Sequence, residues 1–144
     1  MTTFAYKNGF LAADTLITYG NGRLGHMSKI VKNDKGWLFA ASGTIDGVKK
    51  ILDWGRRGYI DRGIPNIEGT DGFVVEPDGQ TYSLVKGELV PFLITGKGYA
   101  EGTGGNYAEG AMEAGASAKQ AVEIAMIYDT KTGGTIEVLK LGLD

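Results

Sequence analysis

Twenty-four glycines in 144 residues constrain this chain more than any other feature. The ordinary share is about 7%. None of these glycines falls at a fixed period, which excludes a collagen-like chain or a simple repeat. They sit in turn signals and at strand ends instead. Asn8-Gly9, Asn33-Asp34-Lys35-Gly36 and Pro77-Asp78-Gly79 each separate two short apolar runs. Such spacers close hairpins, because glycine accepts the positive φ that a tight turn needs. The chain therefore folds largely from antiparallel strands with close backbone approaches.

Residues 4–7 and 10–17 read as the first two strands, the second largely apolar and so buried on both faces. Residues 19–25 read as a loop. Residues 28–32 pair with 37–41 across the second turn. Thr44 opens a helix with Ile45, Val48, Ile51 and Leu52 at helical spacing, ended by Gly55 and Gly58. A polar connection over 58–69 leads to strands at 72–76, 80–85 and 89–93. Residues 104–114 form a short helix of small residues. Ser117 opens the last helix, and Gln120 completes a capping box. Through Tyr128 this helix is apolar on most sides, the pattern of a helix buried between layers. Residues 135–141 close the chain as a strand. This order predicts one α+β domain over residues 1–144, with two antiparallel sheets sandwiched by helices.

Composition narrows the function. Hydrophobic residues make up 42% and the net charge is −2, which suits a globular protein and gives no case for nucleic-acid binding. With no cysteine and one histidine, His26, thiol catalysis, disulfides and a Cys/His zinc cluster are excluded. Asp53, Asp61, Glu68 and Asp71 lack metal-ligand spacing, so no metal and no cofactor is expected. Gly96-Lys97-Gly98 and the glycines at 102–105 do not complete a phosphate-binding loop. No apolar run of about 18 residues exists, and the start lacks the build of a signal peptide. The expectation is a cytoplasmic protein with no membrane partner.

The chain begins Met1-Thr2-Thr3. Initiator methionine is normally trimmed before a residue as small as threonine. Trimming would give Thr2 a hydroxyl and a free α-amine, and an amine with a pKa near about 8 is a usable base at neutral pH. That pairing is one recognised way to activate a threonine nucleophile.

Further segments extend this reading. Ala12-Ala13-Asp14-Thr15, Ser28-Lys29-Ile30, Ala41-Ser42-Gly43-Thr44-Ile45-Asp46, Gly102-Thr103-Gly104-Gly105 and Tyr128-Asp129-Thr130-Lys131-Thr132-Gly133-Gly134 follow Thr2-Thr3 in order. Together they resemble the proteasome β-type and HslV-like peptidases, a family of N-terminal nucleophile hydrolases. The resemblance covers most of the chain. It implies a four-layer αββα sandwich of antiparallel sheets, the Ntn-hydrolase fold, and a threonine endopeptidase acting on peptides or unfolded proteins. It also implies a homo-oligomeric ring and, as a partner, an ATP-dependent unfoldase.

The resemblance also assigns roles. Thr2 is the nucleophile. Lys29 lies beside its hydroxyl and eases formation of an alkoxide-like oxygen, and Asp14 holds Lys29 charged and aimed. Backbone N–H groups at Ser42 and Gly43, before the first helix, form an oxyanion hole; the family usually has glycine at Ser42. Thr103 replaces the family's serine and keeps its hydroxyl. Asp129 and Thr132 orient the N-terminal residue. Thr18 lines a substrate groove by strand addition, and Ile17, Met27, Val31 and Ala40 line the pocket for the side chain before the cut bond. The chain departs from the family in length. No second long helix fits in 58–69, so one outer helix is missing, and the exposed remainder of the 44–58 helix becomes an expected ring contact. Two other functions fit the same residues: an amidase on a small amide, and a non-catalytic, ring-forming structural subunit.

Overall fold

The computed structural model describes residues 2–58 and 60–143. Met1, whose removal the sequence reading expects, lies outside the described residues. Among the described residues eleven strands and three helices follow one another. Strands β1 (Thr3–Lys7) and β2 (Phe10–Ala13) form the first hairpin. Its turn residues Asn8 and Gly9 both have positive φ, as a two-residue hairpin turn demands. With β10 (Tyr99–Gly102) and β11 (Glu137–Lys140) they make a four-stranded sheet in the order β10-β1-β2-β11. A five-stranded sheet runs β5 (Ile30–Lys32), β6 (Leu38–Gly43), β7 (Thr70–Val75), β8 (Thr81–Val85), β9 (Glu88–Phe92). Strands β3 (Leu16–Tyr19) and β4 (Gly22–His26) pair by themselves. All these pairings are antiparallel.

The two larger sheets share one core. Successive side chains of a strand point to opposite faces, so β6 sends Leu38 and Ala40 one way and Phe39 and Ala41 the other. Leu38 and Ala40 meet Phe4, Leu11 and Ala13 of the four-stranded sheet, together with Phe73. The Phe73 ring stacks on Phe4 at 5.7 Å and on Tyr99 at 4.8 Å, and pairs of this kind add about 0.5–1.5 kcal/mol each beyond area burial. Phe39 and Ala41 pack instead under Val48, Ile51, Leu52 and Trp54 of helix α1 (Ile45–Arg57). On the outer face of the other sheet, Ala5, Ala12 and Ala100 carry helices α2 (Gly105–Glu113) and α3 (Ala118–Tyr128). The result is an α+β chain with three antiparallel sheets and three helices among the described residues, compatible with a sandwich.

Several local expectations are corrected. Residues 10–17 are two strands, not one. The ladder stops at Asp14, whose carboxylate takes the N–H groups of Thr3 and Gly133, while the N–H groups of Thr15 and Leu16 both turn to the Gly133 carbonyl. The chain is thereby redirected into β3. Residues 19–25 are not a loop: β4 occupies most of them. Gly55 lies inside α1, against the Phe39 ring, and Gly58 caps the helix at φ 75°. Helix α3 buries only one face, with Ile127 73% exposed, so it lies outside the sheet rather than between layers. The outer face of α1 is laced by the pairs Lys49–Asp53, Lys50–Asp46 and Arg56–Asp53 and is charged, not apolar. Between α1 and β7 the described residues contain no helix. No helix of the described residues is long and apolar enough to cross a membrane.

Candidate active site

The first residues of β1, the break after β2 and the end of β6 converge at one end of the two sheets. Asp14 is fully buried there, and Lys29 is 3% exposed. Lys29 Nζ donates to Asp14 Oδ1 at 2.8 Å and to the Leu16 carbonyl at 2.6 Å. Asp14 also receives Thr3 N–H and Gly133 N–H, each at 3.0 Å. A carboxylate with that many donors is held rigidly, and it aims Lys29. Burial pulls the Lys29 ammonium below the ordinary lysine range, and the neighbouring Asp14 charge opposes that pull.

Thr2, Ile17, Thr18, Met27, Lys29 and Gly43 line one small cavity, with Leu16, Ile45 and Val48 completing it. Six residues singled out from the sequence therefore surround one space. The cavity holds about 30 Å³, room for roughly one water molecule, and Thr2 itself is 2% exposed. Gly43 ends β6 at φ 139°. A Cβ there would lie 2.2 Å from the Gly69 carbonyl oxygen, so only glycine fits. Next to it Thr44 caps α1, its hydroxyl accepting the Gly47 N–H at 3.0 Å, and Ser42 is buried at the same strand end, opposite Asp71.

A second set of hydroxyls meets the chain start from the other side. Asp129 Oδ2 accepts from Thr103 Oγ1 at 2.6 Å and from Thr132 Oγ1. Burial would raise the Asp129 carboxyl, but these hydroxyls and the Lys131 N–H hold it below the ordinary carboxylate range. Thr132 Oγ1 in turn lies 2.7 Å from Thr3 Oγ1. Thr103, Asp129 and Thr132 thus reach the N-terminal strand through Thr3, a residue to which the sequence reading gave no role. Its signal was the doubled threonine, whose side chains must point to opposite faces of a strand. The glycines flanking Thr103 have a comparable task. A Cβ on Gly102 would sit 1.7 Å from the Thr2 carbonyl oxygen, and one on Gly104 2.2 Å from Thr3 Oγ1.

Two expected pocket residues lie elsewhere. Ala40 is fully buried in the core between the sheets, on the face of β6 that it shares with Leu38. Val31 packs against the cluster beneath α1. Neither is among the described residues that line the cavity.

No family model matches the chain, and no curated protein matches it. Among solved structures it is similar to Thiobacillus denitrificans BPH in complex with epoxomicin, at 19% identity and a TM-score of 0.66 over 99% of each chain. It is equally similar to Thiobacillus denitrificans BPH, at 19% identity and a TM-score of 0.65 over 99% of each chain. A likeness of that extent at so low an identity establishes a shared fold and nothing finer.

Proposed function

We propose that the chain is a threonine endopeptidase of the proteasome β-type and HslV-like kind, with the αββα Ntn-hydrolase fold and Thr2 as nucleophile once Met1 is removed. The observation that carries the reading is the cavity shared by Thr2, Lys29 and Gly43, with Lys29 fixed by a buried Asp14. In this reading the α-amine of Thr2 takes the hydroxyl proton as Thr2 Oγ1 attacks the peptide carbonyl. The Lys29 charge lowers the cost of the developing negative oxygen, and backbone N–H groups at Ser42 and Gly43 receive the oxyanion. The amine then protonates the departing nitrogen as the C–N bond breaks. Water, deprotonated by the same amine, resolves the ester.

The expected assembly is a homo-oligomer, serving peptide or unfolded-protein substrates, with an ATP-dependent unfoldase as partner. The exposed apolar groups favour α2 and α3 over α1 as its contact: Tyr107 and Tyr128 stack at 5.5 Å beside exposed Ile127. A second reading is an amidase on a small amide, since the same arrangement of Thr2, Lys29 and Asp14 serves both bonds.

Intact mass reads the removal of Met1. The Thiobacillus protein's complex with epoxomicin makes epoxomicin the probe. The processed chain is expected to gain one epoxomicin mass at Thr2 and to cleave fluorogenic peptides, and Thr2→Ala to do neither while melting cooperatively. An adduct at another residue, or full turnover by Thr2→Ala, overturns the mechanism. Turnover confined to short acyl amides selects the second reading.

A further inference from the structure

A larger, open groove of about 810 Å³ shares Met27 as a lining residue with the Thr2 cavity. Its wall includes Thr15, His26, Ser28, Thr135 and Glu137. What these groups can offer a ligand is decided by the bonds they already make. Thr15 Oγ1 donates its proton to the Thr135 carbonyl at 2.8 Å, and Ser28 Oγ donates to the Ile30 carbonyl at 2.9 Å. Both hydroxyls are therefore left as acceptors. Glu137 starts β11 opposite Ala13, on the strand face that Leu139 uses to meet the inter-sheet core. Its Oε1 atom is buried with no hydrogen-bond partner among the described residues. A carboxylate with one oxygen kept from water and without a donor is costly, and a cation pairing with the same carboxylate from the groove lowers that cost. None of the described lining residues is a lysine or arginine, so the chain supplies no cation of its own at this wall.

We propose that this groove is a subsite for a basic side chain of a peptide, its ammonium or guanidinium pairing with the Glu137 carboxylate and donating to Thr15 Oγ1 and Ser28 Oγ. A multi-donor cation is the group that this set of acceptors recognises best. Calling the ligand a peptide substrate rests on the peptidase reading above. Thr15 directly follows Asp14, and Met27 borders both spaces, so a chain whose reacting carbonyl lies at Thr2 reaches the groove with a neighbouring residue.

The test uses the full chain and two short capped peptides, identical except for one lysine or its uncharged analogue norleucine. His26 is the only histidine, so its imidazole resonances report the groove without any need for turnover. The lysine peptide is expected to shift them at a concentration about tenfold lower than the norleucine peptide. Glu137→Gln is expected to erase that difference while leaving the norleucine response unchanged. Ser28→Ala, the milder change, is expected to weaken only the lysine peptide, about threefold, and serves if the Glu137 variant fails to fold. Equal responses to the two peptides, no response to either, or a lysine preference that survives in the folded variants overturns the proposal. Failure of the peptidase reading is separate: it appears as absent hydrolysis and absent epoxomicin labelling, whatever the binding experiment returns.

Discussion

The ion pair beneath Thr2 offers the sharpest quantitative test. Asp14 receives three donors: Thr3 N–H, Gly133 N–H and Lys29 Nζ. In Asp14→Asn only one side-chain oxygen remains. If it keeps Thr3 and Lys29, the new NH₂ faces the Gly133 N–H, a donor against a donor. If the amide turns over, two donors are orphaned instead. One buried orphan costs about 1–3 kcal/mol, and Lys29, still buried, has lost its counter-ion. Breaking a buried pair from one side costs about 3–5 kcal/mol in total, a large part of a stability of about 5–15 kcal/mol. Lys29→Met removes the charge but leaves Asp14 with two backbone N–H donors, so its expected cost lies near the lower end, about 3 kcal/mol. The double variant contains neither a buried charge nor a lysine without a partner. Its loss is expected to fall short of the summed single losses by about 2 kcal/mol or more. Urea unfolding with unchanged m-values measures all three. Losses that add to within about 0.5 kcal/mol refute the coupled pair. On the proposed peptidase reading, in which the two residues act as a unit, epoxomicin labelling should fall to a similar level in all three variants.

Other outcomes follow from the same geometry. Lys29 has a lowered pKa in the folded chain, so between that value and the unfolded value of 10.5 the unfolded chain binds more protons. Stability of the wild type relative to Lys29→Met must therefore rise with pH in that window, and a flat or falling difference in unfolding free energy contradicts the assignment. Gly102→Ala puts a Cβ 1.7 Å from the Thr2 carbonyl oxygen at a φ of 102°. The backbone strain is about 1–3 kcal/mol, and a displacement of Thr2 by about 1 Å would slow epoxomicin labelling on the order of 100-fold; labelling at the wild-type rate counts against the placement of Thr2. Gly110 and Gly55 both lie inside helices, yet alanine should act with opposite sign. Gly110→Ala meets nothing within 4 Å and should stabilise by about 0.5–1 kcal/mol, whereas Gly55→Ala would bring a methyl 2.7 Å from the Phe39 ring and should destabilise by about 1–3 kcal/mol, both read by thermal melting.

The parts of the fold legible in the sequence are those where local chemistry and burial agree. Asn8-Gly9 sets a turn whatever surrounds it, and the Ser117–Gln120 capping box forms as its spacing demands. Strand β4 was not legible. Its residues Gly22-Arg23-Leu24-Gly25-His26 are mostly exposed, so no buried face imposes an alternating pattern. The end of β2 was hidden for the opposite reason: residues 10–17 are apolar on both sides of the break, and the break comes from contacts of Asp14 with residues 3, 29 and 133. Strand β10 is four residues long and takes its place from pairing with β1, a long-range contact that no local signal announces. Within the candidate site, resemblance to a motif named Lys29, Asp14 and Gly43, which the fold brings into one neighbourhood. It misjudged Ala40, because motif position does not say which face of β6 a side chain uses.

The doubled threonine shows how one strand can divide structure from chemistry. Thr3 is locked: its N–H is held by Asp14, its hydroxyl by Thr132, and Gly104 closes over it. Thr2 lines the cavity with Lys29, and its carbonyl oxygen rests against Gly102. Consecutive residues of a strand face opposite ways, so the two cannot exchange places without flipping the whole of β1, including Phe4 and Ala5, out of the two cores they fill. The anchoring of Thr3 therefore sets the register that leaves Thr2 at the end of the sheet. On the proposed peptidase reading a serine at position 2 should keep the reaction, since it keeps a hydroxyl on a residue that lines the cavity with Lys29. Valine at position 3 should instead remove the Thr3–Thr132 bond, leave Thr132 paired with Asp129 alone and loosen the strand that follows Thr2, at the cost of one hydrogen bond, about 0.5–1.5 kcal/mol. The two positions are chemically identical in the sequence, and their places, Thr3 as the first residue of β1 and Thr2 just before it, make one an anchor and the other the candidate nucleophile.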